Sequence, residues 1–252
     1  MKFSVLGTKI DELNSYRETY ELVIDYLRAQ SKPAYLTVNN VHTVTMGLRD
    51  KKFREIINNS FLSLPDGKPL SVIGKWKGVK RVERIFGPAF FEMTLGWGVD
   101  DNLKHYFFGS STETLDKLKK NAEKKFPGIK IAGALSPPFR ELQPEENEQF
   151  LNEINNSGAD IIWVSLGAPK QEKWIYSNYR SFDKGLFIGI GAGFDYMAEN
   201  LKNAPAWMKD YSLEWLFRLK QEPRRLWKRY LISNTQFIFY TALELLGLKK
   251  FK

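Results

Sequence analysis

The chain contains no cysteine, which excludes disulfides, thiolate-bound zinc, iron–sulfur clusters and a thiol nucleophile, and fits a reducing compartment. Histidine is nearly as scarce. With only His42 and His105 in 252 residues, a histidine-rich metal site is not expected. A long hydrophobic run is missing too: the most apolar stretch, 231–247, falls short of the roughly 20 residues a bilayer span needs and carries Ser233, Asn234, Gln236 and Glu244. The opening Met-Lys-Phe-Ser-Val-Leu-Gly has too short an apolar run for a signal peptide, with Asp11 and Glu12 close behind, so the expected location is the cytoplasm. There is no internal repeat and no low-complexity tract.

What is present suffices for a sizeable core, since 43% of residues are hydrophobic and 14% aromatic, enough for one large or two small domains. Lysine and arginine, 38 together, outnumber the 29 acids and give a formal charge of +9. A polyanionic partner follows, which covers nucleic acid, phospholipid head groups and nucleotides alike.

Short apolar runs rich in β-branched and aromatic residues, at 34–38, 61–64, 105–108, 129–132, 160–165 and 186–190, read as strands. Segments 41–59, 88–97, 113–125, 144–156 and 169–179 read as helices, the fourth opened by Pro144-Glu145-Glu146, with proline in the first turn and acids near the positive end of the dipole. This alternation predicts an α/β, Rossmann-like fold: a largely parallel sheet with helices on both faces. After Asp195 only helical patterning continues, broken by Pro205 and Pro223. The expected division is an α/β body, 1–203, and a basic, apolar helical appendage, 204–252.

In an open parallel sheet ligands bind beyond the carboxyl ends of the strands, and four turns lie there. Thr37-Val38-Asn39-Asn40 offers small polar groups to a sugar or phosphate, or simply caps the next helix. Pro65-Asp66-Gly67 is an ordinary turn pair or a carboxylate poised as a general base for a sugar hydroxyl. Gly167-Ala-Pro169-Lys170-Gln171-Glu172 opens a helix whose free N–H groups, with Lys170 and Gln171, either cradle a phosphate or form a plain surface cap. Gly189-Ile-Gly191-Ala-Gly193-Phe-Asp195 misses the glycine spacing of a dinucleotide fingerprint, which argues against a nicotinamide or flavin enzyme. A tight turn is one reading, and contact from Gly191, Gly193 and Asp195 to a ribose or sugar is the other.

From Arg218 to Tyr230 six cations stand against one glutamate: Arg218, Lys220, Arg224, Arg225, Lys228 and Arg229. The ladder runs into the apolar 231–247 stretch, a pairing suited to an anionic membrane surface. A solvated helix face with snorkelling side chains is the plainer alternative. A nucleic-acid-binding module fits the charge as well, but no helix-turn-helix, zinc-finger or RNA-recognition signature accompanies it.

Taken in order, Thr37-Val-Asn39, Pro65-Asp66-Gly67, Arg84-x-x-Gly87, Phe107-Phe-Gly109, Asp160 to Gly167 with Pro169-Lys170-Gln171-Glu172, Gly191-x-Gly193-Phe-Asp195, and Leu213-Glu-Trp-Leu-Phe-Arg218 with Glu222-Pro-x-Arg225 resemble the WecG/TagA/CpsF glycosyltransferases, glycosyltransferase family 26, over nearly the whole chain. The resemblance implies an inverting, metal-independent hexosyltransferase. A UDP-sugar of N-acetylmannosamine, its uronic acid or another hexose would be the donor, and a sugar on undecaprenyl pyrophosphate the acceptor, at the inner face of the cell membrane. It further implies that Asp66, Thr37 and Gln171 do the chemistry, with Asn39 in the same pocket and Arg84 near it, while Arg218, Arg225 and either Lys228 or Arg229 meet the pyrophosphate. Nucleic acid is then no partner. A second copy of the chain, packed on the apolar stripe, is a further candidate partner.

Overall fold

The computed structural model describes residues 1–29, 32–211 and 213–251. In chain order it runs β1 (Lys2–Val5), β2 (Thr8–Asp11), α1 (Tyr16–Arg28), β3 (Ala34–Asn39), α2 (Val41–Arg49), α3 (Lys51–Asn58), β4 (Leu62–Pro65), α4 (Lys68–Trp76) and α5 (Gly87–Asp100). It continues with β5 (Lys104–Gly109), α6 (Thr112–Lys125), β6 (Lys130–Leu135), α7 (Pro144–Asn156), β7 (Ile161–Ser165), α8 (Lys170–Asn178), β8 (Leu186–Gly189) and α9 (Gly193–Met197). The last helices are α10 (Ala206–Asp210), α11 (Glu214–Gln221) and α12 (Pro223–Leu245).

Six strands form one parallel sheet in the order β4-β3-β8-β7-β5-β6. Their side chains alternate between two cores, as the two-residue strand period demands. Leu36, Phe107, Ile161, Trp163 and Ile188 face α1, α5, α6 and α9, whereas Tyr35, Tyr106, Phe108, Ile162 and Phe187 face α3, α7 and α8. Both faces are therefore covered by helices, which is why these strands read as apolar runs. The expected α/β, Rossmann-like architecture is the observed one. Trp163 anchors the first core, packed edge-on by Phe90 and Phe91, and its indole N–H donates to Nδ1 of His105 at 3.2 Å. Burial holds His105 down to about 4, a neutral core histidine.

Three details depart from the sequence reading. The N-terminal residues pair as an antiparallel hairpin, β1 with β2, and α1 and α4 are helices that the patterning did not single out. The stretch 41–59 is two helices, broken at Asp50, which ends α2 and caps α3 by accepting from the Phe53 N–H at 3.0 Å. At the far end, α12 does not stand clear of the rest. Its Phe237 joins Phe3, Val5 and Ile10 of the hairpin, Val44 of α2 and Leu70 and Ile73 of α4 in a third apolar cluster. Among the described residues no helix is long and apolar enough to cross a membrane.

Candidate active site

Asp66 is the first residue beyond β4, at the carboxyl edge of the sheet. Its backbone N–H donates to the Asn39 carbonyl at 2.8 Å. The carboxylate is held from two sides: Oδ1 accepts from the N–H of Gly87, the first residue of α5, at 2.7 Å, and Oδ2 accepts from Asn40 Nδ2 at 3.3 Å. A side chain at Gly87 is not admissible, because a Cβ there would lie 2.8 Å from Val38 Cγ1 and 3.5 Å from Asp66 Oδ1. Arg84 fixes the turn from below, donating Nε–H to the Asp66 carbonyl at 2.6 Å while Nη2 pairs with Glu214 of α11 at 2.6 Å.

Asn40 also caps α2, its Oδ1 accepting from the N–H groups of His42 and Thr43. Thr37 and Asn39 are placed differently. Their side chains are 2% and 1% exposed, and Asn39 Nδ2 donates to both Thr37 Oγ1 and Ser63 Oγ at 2.9 Å. Thr37 in turn donates to Ser60 Oγ at 3.2 Å. The four form a polar seam from β3 to β4 beneath the Asp66 turn.

Across β3 lies the second half of the site. Ser165 Oγ at the end of β7 donates to the Gly191 carbonyl at 2.7 Å. Gln171 in the first turn of α8 lies against the end of β8, close enough that a Cβ on Gly189 would meet its Nε2 at 2.9 Å. Gln171 Oε1 accepts from the Gly191 N–H at 3.1 Å, and Nε2 donates to Glu172 Oε1 at 2.8 Å. Burial pushes the Glu172 carboxyl up to about 7, against the lowering effect of the Gln171 amide. Gly167, in the left-handed region at φ 76°, and Lys170 are exposed at the rim. Gly193 opens the single-turn helix α9, and Asp195 Oδ1 accepts from Asn200 Nδ2 at 3.4 Å. Asp66, after β4, and Gln171, against the end of β8, thus stand on either side of β3 at the carboxyl edge, and Gly87 is close to both Asp66 and Ile190.

The basic ladder comes over this edge from α11 and α12. Arg218 lies over the Tyr196 ring at 5.4 Å, donates to its hydroxyl at 3.2 Å and pairs with Glu222 at 2.6 Å. Tyr196 stands edge-on to Phe86, whose ring lies under Arg84 at 4.6 Å, so an unbroken stack joins the two arginines. Arg225 shares Glu222 at 2.8 Å, which leaves two guanidinium groups on one carboxylate. Lys228 is exposed and Arg229 half-buried. One turn on, Ser233 Oγ meets His42 Nδ1 at 2.8 Å, and burial, with Arg229 and Arg49 adding repulsion, pushes His42 down to about 3. A separate apolar groove of about 630 Å³ opens between α10 and α11, lined by Trp207, Met208, Leu216, Phe217 and Pro223.

Of the residues singled out in the sequence, Asp66 and Arg84 are in direct contact and are joined through Phe86 and Tyr196 to Arg218, Gln171 and Gly191 form a separate contact, and Thr37 and Asn39 are buried against Ser60 and Ser63. Gly167, Lys170, Arg225 and Lys228 stand at the exposed periphery. Glu172, Tyr196, Glu214 and the His42–Ser233 contact carried no expected role as ligands or supports. Two of them stood inside quoted motifs, Glu172 beside Gln171 and Glu214 beside Trp215, and Asn40 was weighed as a helix cap.

A carboxylate at the carboxyl edge of a parallel sheet, where such folds bind their ligands, is the arrangement of an α/β enzyme. The chain belongs to the glycosyl transferase WecG/TagA/CpsF family, whose model matches residues 3–251, and it is a glycosyltransferase. It is similar to the N-acetylglucosaminyldiphosphoundecaprenol N-acetyl-beta-D-mannosaminyltransferase of Bacillus subtilis (strain 168), at 28% identity over 212 residues, 82% of this chain and 80% of that protein. It is also similar to the enzyme of the same description from Bacillus spizizenii, at 26% identity over 202 residues, 80% of this chain and 76% of that one.

Proposed function

We propose that the chain is an inverting hexosyltransferase. It moves N-acetylmannosamine, its uronic acid or another hexose from a UDP-sugar to a sugar carried on undecaprenyl pyrophosphate, in cell-surface polysaccharide or teichoic acid synthesis at the inner face of the membrane. The acceptor follows the relatives, whose names specify N-acetylglucosaminyldiphosphoundecaprenol. The observation that carries the reading is the Asp66 carboxylate, held by Gly87 and Asn40 at the sheet edge beneath the arginines.

In this reading Asp66 removes the proton of the attacking acceptor hydroxyl as its oxygen bonds to the donor C1 from the face opposite UDP. The bond from C1 to the diphosphate oxygen breaks, and UDP departs with the electron pair. Arginine forks suit the oxygens of a diphosphate, and Arg218, Arg225 and Arg229, with Lys228, supply the stabilising charge without a metal ion. Gln171 and Arg84 order the pocket, and residues 204–252 bring the body, 1–203, to the membrane.

A thermal-shift panel tests the substrate class. At a hundredfold excess over Kd a bound ligand stabilises by about 2.7 kcal/mol, so UDP and one UDP-sugar are expected to raise Tm by about 5 °C or more. NAD and oligonucleotides are expected to leave it unmoved. Salt-sensitive stabilisation by RNA or DNA with none by UDP would favour a nucleic-acid-binding module instead.

A further inference from the structure

Glu172 is among the most buried acids of the chain, 3% exposed in the first turn of α8, and the proposed reaction gives it no task. One oxygen, Oε1, accepts from Gln171 Nε2, while Oε2 is buried without a hydrogen-bond partner among the described residues. Facing it from α12 is Arg229, whose Nε is likewise buried and unpartnered, and the two feel each other's charge without forming an ion pair among the described contacts. An orphaned carboxylate oxygen is costly to bury, so what the group does for its neighbour needs an account.

The neighbour is an amide that can be placed in two ways. A glutamine side chain presents an acceptor at one end and two donors at the other. Gln171 lies between an obligatory donor, the Gly191 N–H, and Glu172 Oε1, an obligatory acceptor once the carboxyl is ionised. Inverting the amide would set N–H against N–H on one side and oxygen against carboxylate on the other. The pair of contacts therefore selects one orientation, uses one hydrogen of Nε2 and leaves the second free to donate.

We propose that Glu172 is a positioning residue of the transfer reaction: its buried carboxylate holds the Gln171 amide in the single orientation that offers an Nε2 hydrogen to an oxygen of the sugar substrate. Arg229, arriving on α12, keeps a positive charge beside that carboxylate and ties the orientation of the amide to the docked helix. The proposal rests on the reading that Gln171 contacts substrate, and a double-mutant cycle separates the two. Glu172→Gln is close to isosteric but presents its own amide, so on that side either orientation of Gln171 can be matched and only the Gly191 N–H still opposes inversion.

The experiment measures kcat, KM for the UDP-sugar and Tm for the wild type, Glu172→Gln, Gln171→Ala and the double variant, all as full chains. Misplacing a substrate-orienting group costs on the order of ten- to a hundredfold, and that loss is expected in kcat for Glu172→Gln with Tm within a few degrees of the wild type. In the Gln171→Ala background the same change is expected to cost nothing further, because there is no amide left to orient. Equal losses in both backgrounds, or no loss in the wild-type background, would overturn the role of Glu172 and leave that of Gln171 standing. Full activity of Gln171→Ala would instead remove the substrate contact, and the positioning role with it.

Discussion

At the scale of single residues, burial shifts two side chains beside the site, His42 and Glu172, away from their ordinary titration with opposite effects on stability. His42, held at about 3 in place of 6.5, stays neutral in the fold while the unfolded chain binds a proton, so stability falls as pH drops from 6.5 towards 3. Glu172, lifted from 4.5 to about 7, keeps its proton in the fold, so stability is lost as pH rises from 4.5 through 7. Each slope is at most about 1.4 kcal/mol per pH unit, and the two oppose between 4.5 and 6.5. Urea midpoints against pH are expected to fall less steeply below 4.5 in His42→Gln, where lowered carboxylates such as Glu146 still contribute, and to lose their decline between 6.5 and 7 in Glu172→Gln. Superimposable curves for wild type and variants would dismiss both assignments. Asp66 and Gln171 were legible in the sequence because strand-then-turn patterning marks the carboxyl edge. The burial of Thr37 and Asn39 was not, since a polar residue inside a strand reads the same whether it faces a ligand or Ser63 of the neighbouring strand and Ser60 just before it.

Among the elements, α2 and its cap join fold to chemistry. Asn40 starts the helix with Oδ1 and steadies the Asp66 carboxylate with Nδ2. Removing a cap of this kind costs about 1 kcal/mol, so Asn40→Ala is expected to lower stability by that amount and to lower turnover as well. An Asn40→Ser variant, which keeps the cap but cannot reach Asp66, is expected to recover stability alone. Equal turnover in the two variants despite different stability is the expected result, and turnover that tracks stability would reduce Asn40 to its cap. The parallel strands were readable because both their faces are covered and their runs are apolar. The β1–β2 hairpin was missed because its strands, Lys-Phe-Ser-Val and Thr-Lys-Ile-Asp, carry polar residues at half or more of their positions and form no apolar run, and the division of 41–59 because Asp50 serves both as the stop of one helix and the cap of the next.

For the whole molecule, the question is what α12 does with its outer surface. Leu226, Ser233, Phe237 and Thr241 are buried against the body, whereas Trp227, Leu231, Ile238 and Leu245, spaced four and seven apart, are exposed. That stripe beside Arg224, Arg225 and Lys228, near the apolar groove between α10 and α11, suits a helix lying in an anionic interface. Burying an apolar side chain of this size yields about 1.5–3 kcal/mol. Leu231→Asp with Ile238→Asp is therefore expected to weaken co-sedimentation with anionic vesicles by about a hundredfold or more while the Tm shift by UDP persists. Undiminished sedimentation would assign the stripe to another use. Patterning exposed the basic ladder and the apolar stretch, but the docking of α12 on the hairpin depends on contacts between the two ends of the chain, which local patterning does not encode.

The account stands on Asp66 as the base of a sugar transfer, and the most direct measurement is UDP release from a UDP-sugar on mixing with a short-chain prenyl-pyrophosphate-linked N-acetylglucosamine, wild type against Asp66→Asn. The substituted amide can still accept from Gly87, so fold and UDP binding are expected to survive, while turnover falls by about a hundredfold or more, as general-base removal does. Turnover within twofold of the wild type in a variant that binds UDP normally would contradict the account.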